Sequence, residues 1–334
     1  MKYYNLLKLN HFIKNDRIKL LGLYILHVLN KRYLAVHFDP VNACNLRCKM
    51  CYFTDKDYVK KLKGVFPENE LPIFAKAILK RAVKLQIGCG TEPTLYKNLE
   101  KIILLATQYK VPNISMTTNA NTIEKETLFK WCEAGLNEIT ISLHGTKKAT
   151  YEEMMGKGNF DRFMQSVSYI SDAKKTFPDL QLRINYTFNE DNFDELKDFG
   201  TVFKDLSVDV LQIRPIVKMG NTAYSNFSME QIIPKYEALH TQLKKDCKTN
   251  NTLFIAPEIS QLQKQVSNSS IVYNYTYCYI SPTAFWQEDF DWKNENFNTY
   301  SRRTNYGLGI LKMVFASKKK INTLLNGKLK YSIS

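Results

Sequence analysis

The stretch "YLAVHFDPVNACNLRCKMCYF", residues 33–53, decides how the fold is read. Its first seven residues are rich in apolar and aromatic side chains, the composition of a strand. A loop follows that carries Cys44, Cys48 and Cys51. Further along, strand-like and helical runs alternate. Helical spacing recurs over 70–83, 98–109, 125–134, 160–175, 193–204 and 228–247. Strand-like runs lie between them at 84–89, 113–118, 138–143, 180–188 and 208–216. Six strand–helix pairs in strict order predict a parallel sheet with helices outside. Six pairs fall short of eight-fold closure, so the expected α/β fold is a partial (β/α)6 TIM-like barrel. Chemistry in such folds sits at the C-terminal ends of the strands. The cysteine loop, "GCGTEPTLY", "TTNAN" and "SLHG" all fall there.

Three segments are expected. Residues 1–32 form a basic helical lead-in, 33–248 the barrel core, and 249–334 an irregular extension that is basic at its end. The lead-in helix, over 11–31, places Ile18, Leu21, Ile25, Val28 and Leu29 on one face. In the extension, 252–258 offers a short strand, and 267–306, rich in Asn, Ser and Tyr, reads as loop. Its aromatic run at 277–292 is a candidate cap over an open barrel, as it is for plain packing.

The net charge of +15 is unevenly placed. Residues 1–34 carry seven Lys/Arg and one acid, and 296–334 carry eight Lys/Arg and none. The body between is close to neutral. Basic ends suit anionic lipid, nucleic acid or an acidic partner, and plain solubility equally well. A basic stretch with an apolar helical face at 309–330 (Ile310, Met313, Val314, Ile321, Leu324, Leu325) suits a membrane surface. No aromatic stacking motif lies within a basic stripe, so nucleic acid is not the expected partner. The first ten residues lack a secretory pattern, and the apolar run at 20–29 is too short to span a bilayer. A cytoplasmic protein is expected, with peripheral contact at the inner face of the membrane.

Seven cysteines, odd in number, do not suggest a disulfide scaffold. Thiolates bind zinc or iron–sulfur clusters. A structural zinc would need a fourth donor, and Cys89, Cys132, Cys247 and Cys278 are scattered. A four-iron cube accepts three thiolates and leaves one iron open. Two readings follow: an iron–sulfur enzyme, or a non-catalytic basic membrane- or RNA-binding protein with a structural zinc loop.

"CNLRCKMC" resembles the CxxxCxxC pattern of the radical S-adenosylmethionine (SAM) superfamily, over roughly residues 33–220. It is most similar to the branch that holds the molybdenum-cofactor synthase and the SPASM-type peptide maturases. The resemblance implies a [4Fe–4S] cluster on Cys44, Cys48 and Cys51 with SAM on the open iron. Reductive cleavage to a 5′-deoxyadenosyl radical, hydrogen abstraction from substrate, and an electron donor such as flavodoxin or ferredoxin are implied with it. Met50 stands where relatives carry an aromatic near the adenine. Gly90, Thr91, Glu92 and Pro93 occupy the Gly-Gly-Glu-Pro turn that receives the SAM amino group. Thr117, Asn119, Ser142 and Asn185 fall at SAM or substrate positions, and Gln212 and Arg214 share one face of strand 6. Met155 replaces an arginine that pairs with the SAM carboxylate in many relatives. His144 is a candidate for substrate contact or proton transfer, or an exposed loop histidine. One cluster is expected, because the extension lacks the cysteines of SPASM-type auxiliary sites. The substrate class stays open between a peptide or protein and an anionic small molecule such as a lipid-linked glycan.

Overall fold

The computed structural model describes residues 12–13, 15–217, 222–224, 226–264, 270–317, 319–321 and 324. Its centre is one nine-stranded sheet. The strands are β1 (Leu34–Phe38), β2 (Ala82–Ile87), β3 (Asn113–Thr118), β4 (Glu138–Leu143), β5 (Gln181–Phe188), β6 (Val210–Pro215), β7 (Leu253–Ile255), β8 (Tyr277–Ser281) and β9 (Ala284–Phe285). Their spatial order is β7-β6-β5-β4-β3-β2-β1-β8-β9. Every pairing is parallel except β8 with β9. Ahead of β1 runs α1 (Asp16–Val28). The crossovers carry α2 (Leu71–Ile78), α3 (Leu99–Gln108), α4 (Lys125–Glu133), α5 (Lys148–Met154), α6 (Phe160–Thr176) and α7 (Ile233–Thr249). Two helices, α8 (Phe297–Arg303) and α9 (Tyr306–Val314), follow β9. This is the expected partial barrel with a helical lead-in and a C-terminal extension.

Alternation along each strand separates two chemistries. One face of β1–β6 carries Val36, Phe38, Leu85, Ile87, Met116, Ile139, Ile141, Leu182, Ile184 and Leu211, all fully buried. Burial of each such side chain contributes about 1.5–3 kcal/mol. The helices present matching stripes, such as Leu99, Ile102, Ile103 and Ala106 on α3. The other face is polar and lines the lumen. There Gln86 donates to Thr117 at 3.0 Å, Asn113 donates to Glu138 at 3.1 Å, and Lys84 lies 4.0 Å from Glu138.

The structure corrects several expectations. The second strand begins at Ala82, because α2 gives way to a 3-10 turn (Leu79–Arg81) before it. The run 193–204 is helical only in part: Phe193–Asp198 winds as a 3-10 helix, and Phe199–Val202 makes one α turn. Glu195 reaches away from this segment to accept from the Thr146 and Lys147 N–H groups at 3.1 and 3.2 Å, just before α5. The stretch 267–306 is not loop alone. Tyr277–Ser281 pairs with β1 along its free edge, satisfying donors and acceptors that an open edge leaves unpaired. The aromatic run at 277–292 therefore extends the sheet rather than forming a cap. Tyr277 lies 4.5 Å from the His37 ring, centre to centre, and Cys278 points to the opposite, fully buried side. The C-terminal apolar face turns inward, with Ile310, Met313 and Ile321 buried and Val314 and Leu324 packed on the core. Residues 1–11, Lys318 and 325–334, Leu325 among them, lie outside the described residues.

Candidate active site

The cysteine loop leaves the C-terminal end of β1 and is tied down from three sides. Arg47 N–H donates to Gly156 C=O at 2.7 Å, and Lys49 N–H to Met154 C=O at 2.9 Å. The Arg47 guanidinium folds back onto the carbonyls of Cys44 and Leu46 at 2.8 and 2.7 Å. From β3, Asn119 Nδ2 donates to Asn45 Oδ1 at 2.8 Å and lies 3.9 Å from Cys44 Sγ. Cys48 Sγ lies 3.8 Å from Met155 Sδ. Met155, at the position of the relatives' arginine, is thus buried against a thiol. A Cβ on Gly156 would meet the Arg47 carbonyl at 2.2 Å, so the approach of loop and α5 requires glycine.

All three thiols are half-buried and free. Burial pushes Cys44 up to about 12 and raises Cys48 and Cys51 as well; Cys51 and Cys44 raise Cys48 further. Burial thus favours the neutral thiols, and a coordinated thiol would lose its proton outright. Soft sulfur donors on a short curved loop fit an iron–sulfur cluster.

The second loop, 88–93, hangs on Asp39 at the end of β1. This carboxylate is fully buried. It accepts from Cys89 N–H at 2.6 Å, Gly90 N–H at 3.2 Å, Thr91 Oγ1 at 3.0 Å and Tyr279 Oη at 2.9 Å. Tyr52, next to the third cysteine, donates to the Gly90 carbonyl. Glu92 is buried and accepts from Thr94 Oγ1, Thr118 Oγ1 and Asn119 N–H at 2.7, 2.8 and 2.9 Å. It locks the turn onto β3. Pro93 is buried at the start of a 3-10 turn.

Register assembles the remaining candidates. Ser142 pairs with Asn185, and Asn185 with Gln212, in one row across β4, β5 and β6. Arg183, which the motif reading missed, secures that row. Its Nε donates to Asn185 at 3.0 Å and its Nη2 to Gln212. The period-2 pattern of "LRINYTF" places Arg183, Asn185 and Thr187 on one face and could have found it. Arg214, exposed at the end of β6, donates to Thr187 Oγ1 at 3.3 Å. Thr117 is half-buried and accepts from Gln86. Asp39 and Tyr52 were also missed, although both lie within the stretch 33–53, because neither is a metal-ligand type in the cysteine pattern.

One residue departs from expectation, and two others have telling neighbours. His144 is not an exposed loop residue: it is 9% exposed, and its Nδ1 is buried with no hydrogen-bond partner. Burial first, then the charge of Arg214, pushes it down to about 4. Met50 sits apart in a small apolar cluster with Met154, Ile216 and Tyr224. Cys89 is half-buried and faces a polar neighbour, His37 Nδ1, at 3.4 Å.

A parallel partial barrel with three loop thiols at the strands' C-terminal ends defines a class, the radical SAM domain of iron–sulfur enzymes. Residues 39–199 match the family model described as the radical SAM superfamily, and the chain carries a radical SAM domain over that span. Among curated relatives, a probable GTP 3′,8-cyclase of Saccharolobus solfataricus is 26% identical over 198 residues, covering 58% of this chain and 61% of the relative. Another probable GTP 3′,8-cyclase, of Metallosphaera sedula, is 27% identical over 197 residues, covering 59% of each chain. The chain thus spans about three-fifths of the length of the curated relatives it matches. Among solved structures, Streptococcus suis SuiB bound to S-adenosylmethionine superimposes with a TM-score of 0.59 at 16% identity, over 77% of this chain and 60% of SuiB. The FeFe-hydrogenase maturase HydG of Carboxydothermus hydrogenoformans gives 0.53 at 18%, over 75% and 60%. These likenesses establish the fold.

Proposed function

We propose that the chain is an enzyme that binds one [4Fe–4S] cluster on Cys44, Cys48 and Cys51 and cleaves SAM reductively. When bound and reduced, that pair supplies a 5′-deoxyadenosyl radical that takes a hydrogen atom from substrate. The chain's own residues position and shield. Asp39, Tyr52 and Glu92 fix the 90–93 turn beside the cysteine loop, presenting its backbone to SAM. Ser142, Asn185 and Gln212 offer polar atoms in one row toward the lumen, held by Arg183. His144, directly after β4, is enclosed and held neutral by burial.

The observation that carries this reading is the convergence of the cysteine loop with Asn119, Gly156 and the 88–93 turn at one end of the sheet. The rival reading, a structural zinc loop, gains no support from donor placement. Among the described residues no three His, Cys, Asp or Glu side chains are grouped tightly enough to share one ion. A cube asks less, because each thiolate binds a different iron.

The substrate is a peptide or protein, or an anionic small molecule. SuiB has been solved with its precursor peptide, which supports the first. Arg214 on the lumen face supports the second. A low-potential flavodoxin or ferredoxin supplies the electron, in a reducing compartment such as the cytoplasm that suits seven free thiols. The test is anaerobic incubation of reconstituted, dithionite-reduced protein with SAM. Methionine and 5′-deoxyadenosine are expected from the wild type and neither from Cys48→Ser. Equal yields from both, or none from either, would remove the proposal.

A further inference from the structure

Helix α1 is apolar on both sides. Leu20 and Leu23 are buried, at 0% and 5% exposure. The opposite side carries Ile18, Leu21, Ile25, Val28 and Leu29, each 45–59% exposed. These recur at i, i+3, i+7, i+10 and i+11, and the only other residue on that stripe is Gly22. A helix that meets water on one side puts polar residues there. A continuous exposed apolar stripe instead marks a contact surface.

Helix α9 packs beside α1 and carries exposed apolar residues of its own. It lies so close that a Cβ on Gly307 would meet His27 at 2.8 Å, and Arg17 Nη2 donates to Ala316 C=O at 3.2 Å. Next to Ala316 stands Phe315, 79% exposed, and Leu308 one helix length away is 50% exposed. The charge on these two segments is almost all of one sign. Arg17 and Lys31 on the α1 side and Lys312 and Lys320 on the α9 side are exposed. Residues 1–34 contain a single acid, Asp16, and 296–334 contain none. Asp16 accepts from Ser270 Oγ at 2.8 Å.

We propose that the α1–α9 face docks onto an anionic lipid surface, with the apolar stripe in the interfacial layer and the basic side chains on head-group phosphates. Charge decides the occupant. A second copy of this chain in a two-fold pairing would press two strongly basic faces together. An anionic bilayer supplies both an apolar layer and the opposite charge. Contact is interfacial, since among the described residues no helix is long and apolar enough to cross a membrane.

The experiment is co-sedimentation of the full chain with phosphatidylcholine vesicles that contain or lack phosphatidylglycerol. It needs neither cluster nor SAM, so its failure is separate from any failure of the proposed chemistry. Binding is expected only with phosphatidylglycerol, falling as salt rises. Leu21→Glu/Ile25→Glu should weaken it at least about tenfold, with the far-UV spectrum unchanged because both side chains face outward. Leu104→Glu, at a 49%-exposed leucine on α3, should bind like the wild type. Binding that ignores lipid charge, binding unaffected by the stripe substitutions, or no vesicle binding would each overturn the proposal. So would a dimer in gel filtration that the stripe variant splits.

Discussion

Cys44, Cys48 and Cys51 are placed where a bare thiolate would be poorly solvated, and burial holds all three protonated. In the proposed enzyme they share charge with iron. Replacing any one by serine should drop anaerobically reconstituted iron from about four per chain to well under half of that, read by iron and sulfide analysis. His144 makes a different prediction. Its imidazole falls from the usual 6.5 to about 4 in the folded chain. The unfolded chain takes up that proton first. Its contribution to stability is therefore complete above about pH 6.5 and is lost as pH falls toward 4, by about 3 kcal/mol. Thermal melts of wild type and His144→Asn between pH 7 and pH 4 should converge toward the acid end. Parallel pH profiles would count against the buried neutral imidazole.

At the scale of elements, the site is made by loops held against each other rather than by any one of them. The cysteine loop rests on Gly156 at a spacing that excludes a Cβ. Gly156→Ala should cost about 1–3 kcal/mol through overpacking. It should also reduce iron loading even though every ligand remains, and iron per folded chain measures this. Asp39 does the same work for the 88–93 turn. Asp39→Asn replaces an oxygen acceptor with an amide donor among four donors, which should lower the melting temperature by an amount equivalent to about 1–3 kcal/mol. Much of this layer was hidden from the sequence. The motifs named candidate residues for contact with a ligand. Asp39 and Tyr52 act on the 88–93 turn from elsewhere in the chain, and Arg183 on Asn185 and Gln212 across the sheet; strand register and loop approach reveal them. The one local trace was the alternation that set Arg183 on the face of Asn185.

For the whole molecule, the alternation of two hydrophobic periods from residue 33 to residue 247 was enough to give the parallel sheet, its helices and the end that bears the site. Strands β3 and β4 match their expected limits residue for residue, because each alternates polar and apolar residues at the strand period of two. The C-terminal extension was harder to read. Tyr277–Ser281 follows the sheet's other elements by a long interval yet pairs with the first strand, a non-local choice that no periodicity records. The same holds for the charged ends. Their composition showed a basic surface, but only the fold shows that the stripe of α1 faces outward while the C-terminal apolar face is spent on the core. The account as a whole depends on an iron left open by three cysteines. Electron paramagnetic resonance of the dithionite-reduced, anaerobically reconstituted protein, recorded before and after adding SAM, tests it most directly. A four-iron signal whose g-values and line shape change on SAM addition is predicted. A signal that SAM leaves untouched, or the absence of any four-iron signal, would contradict it.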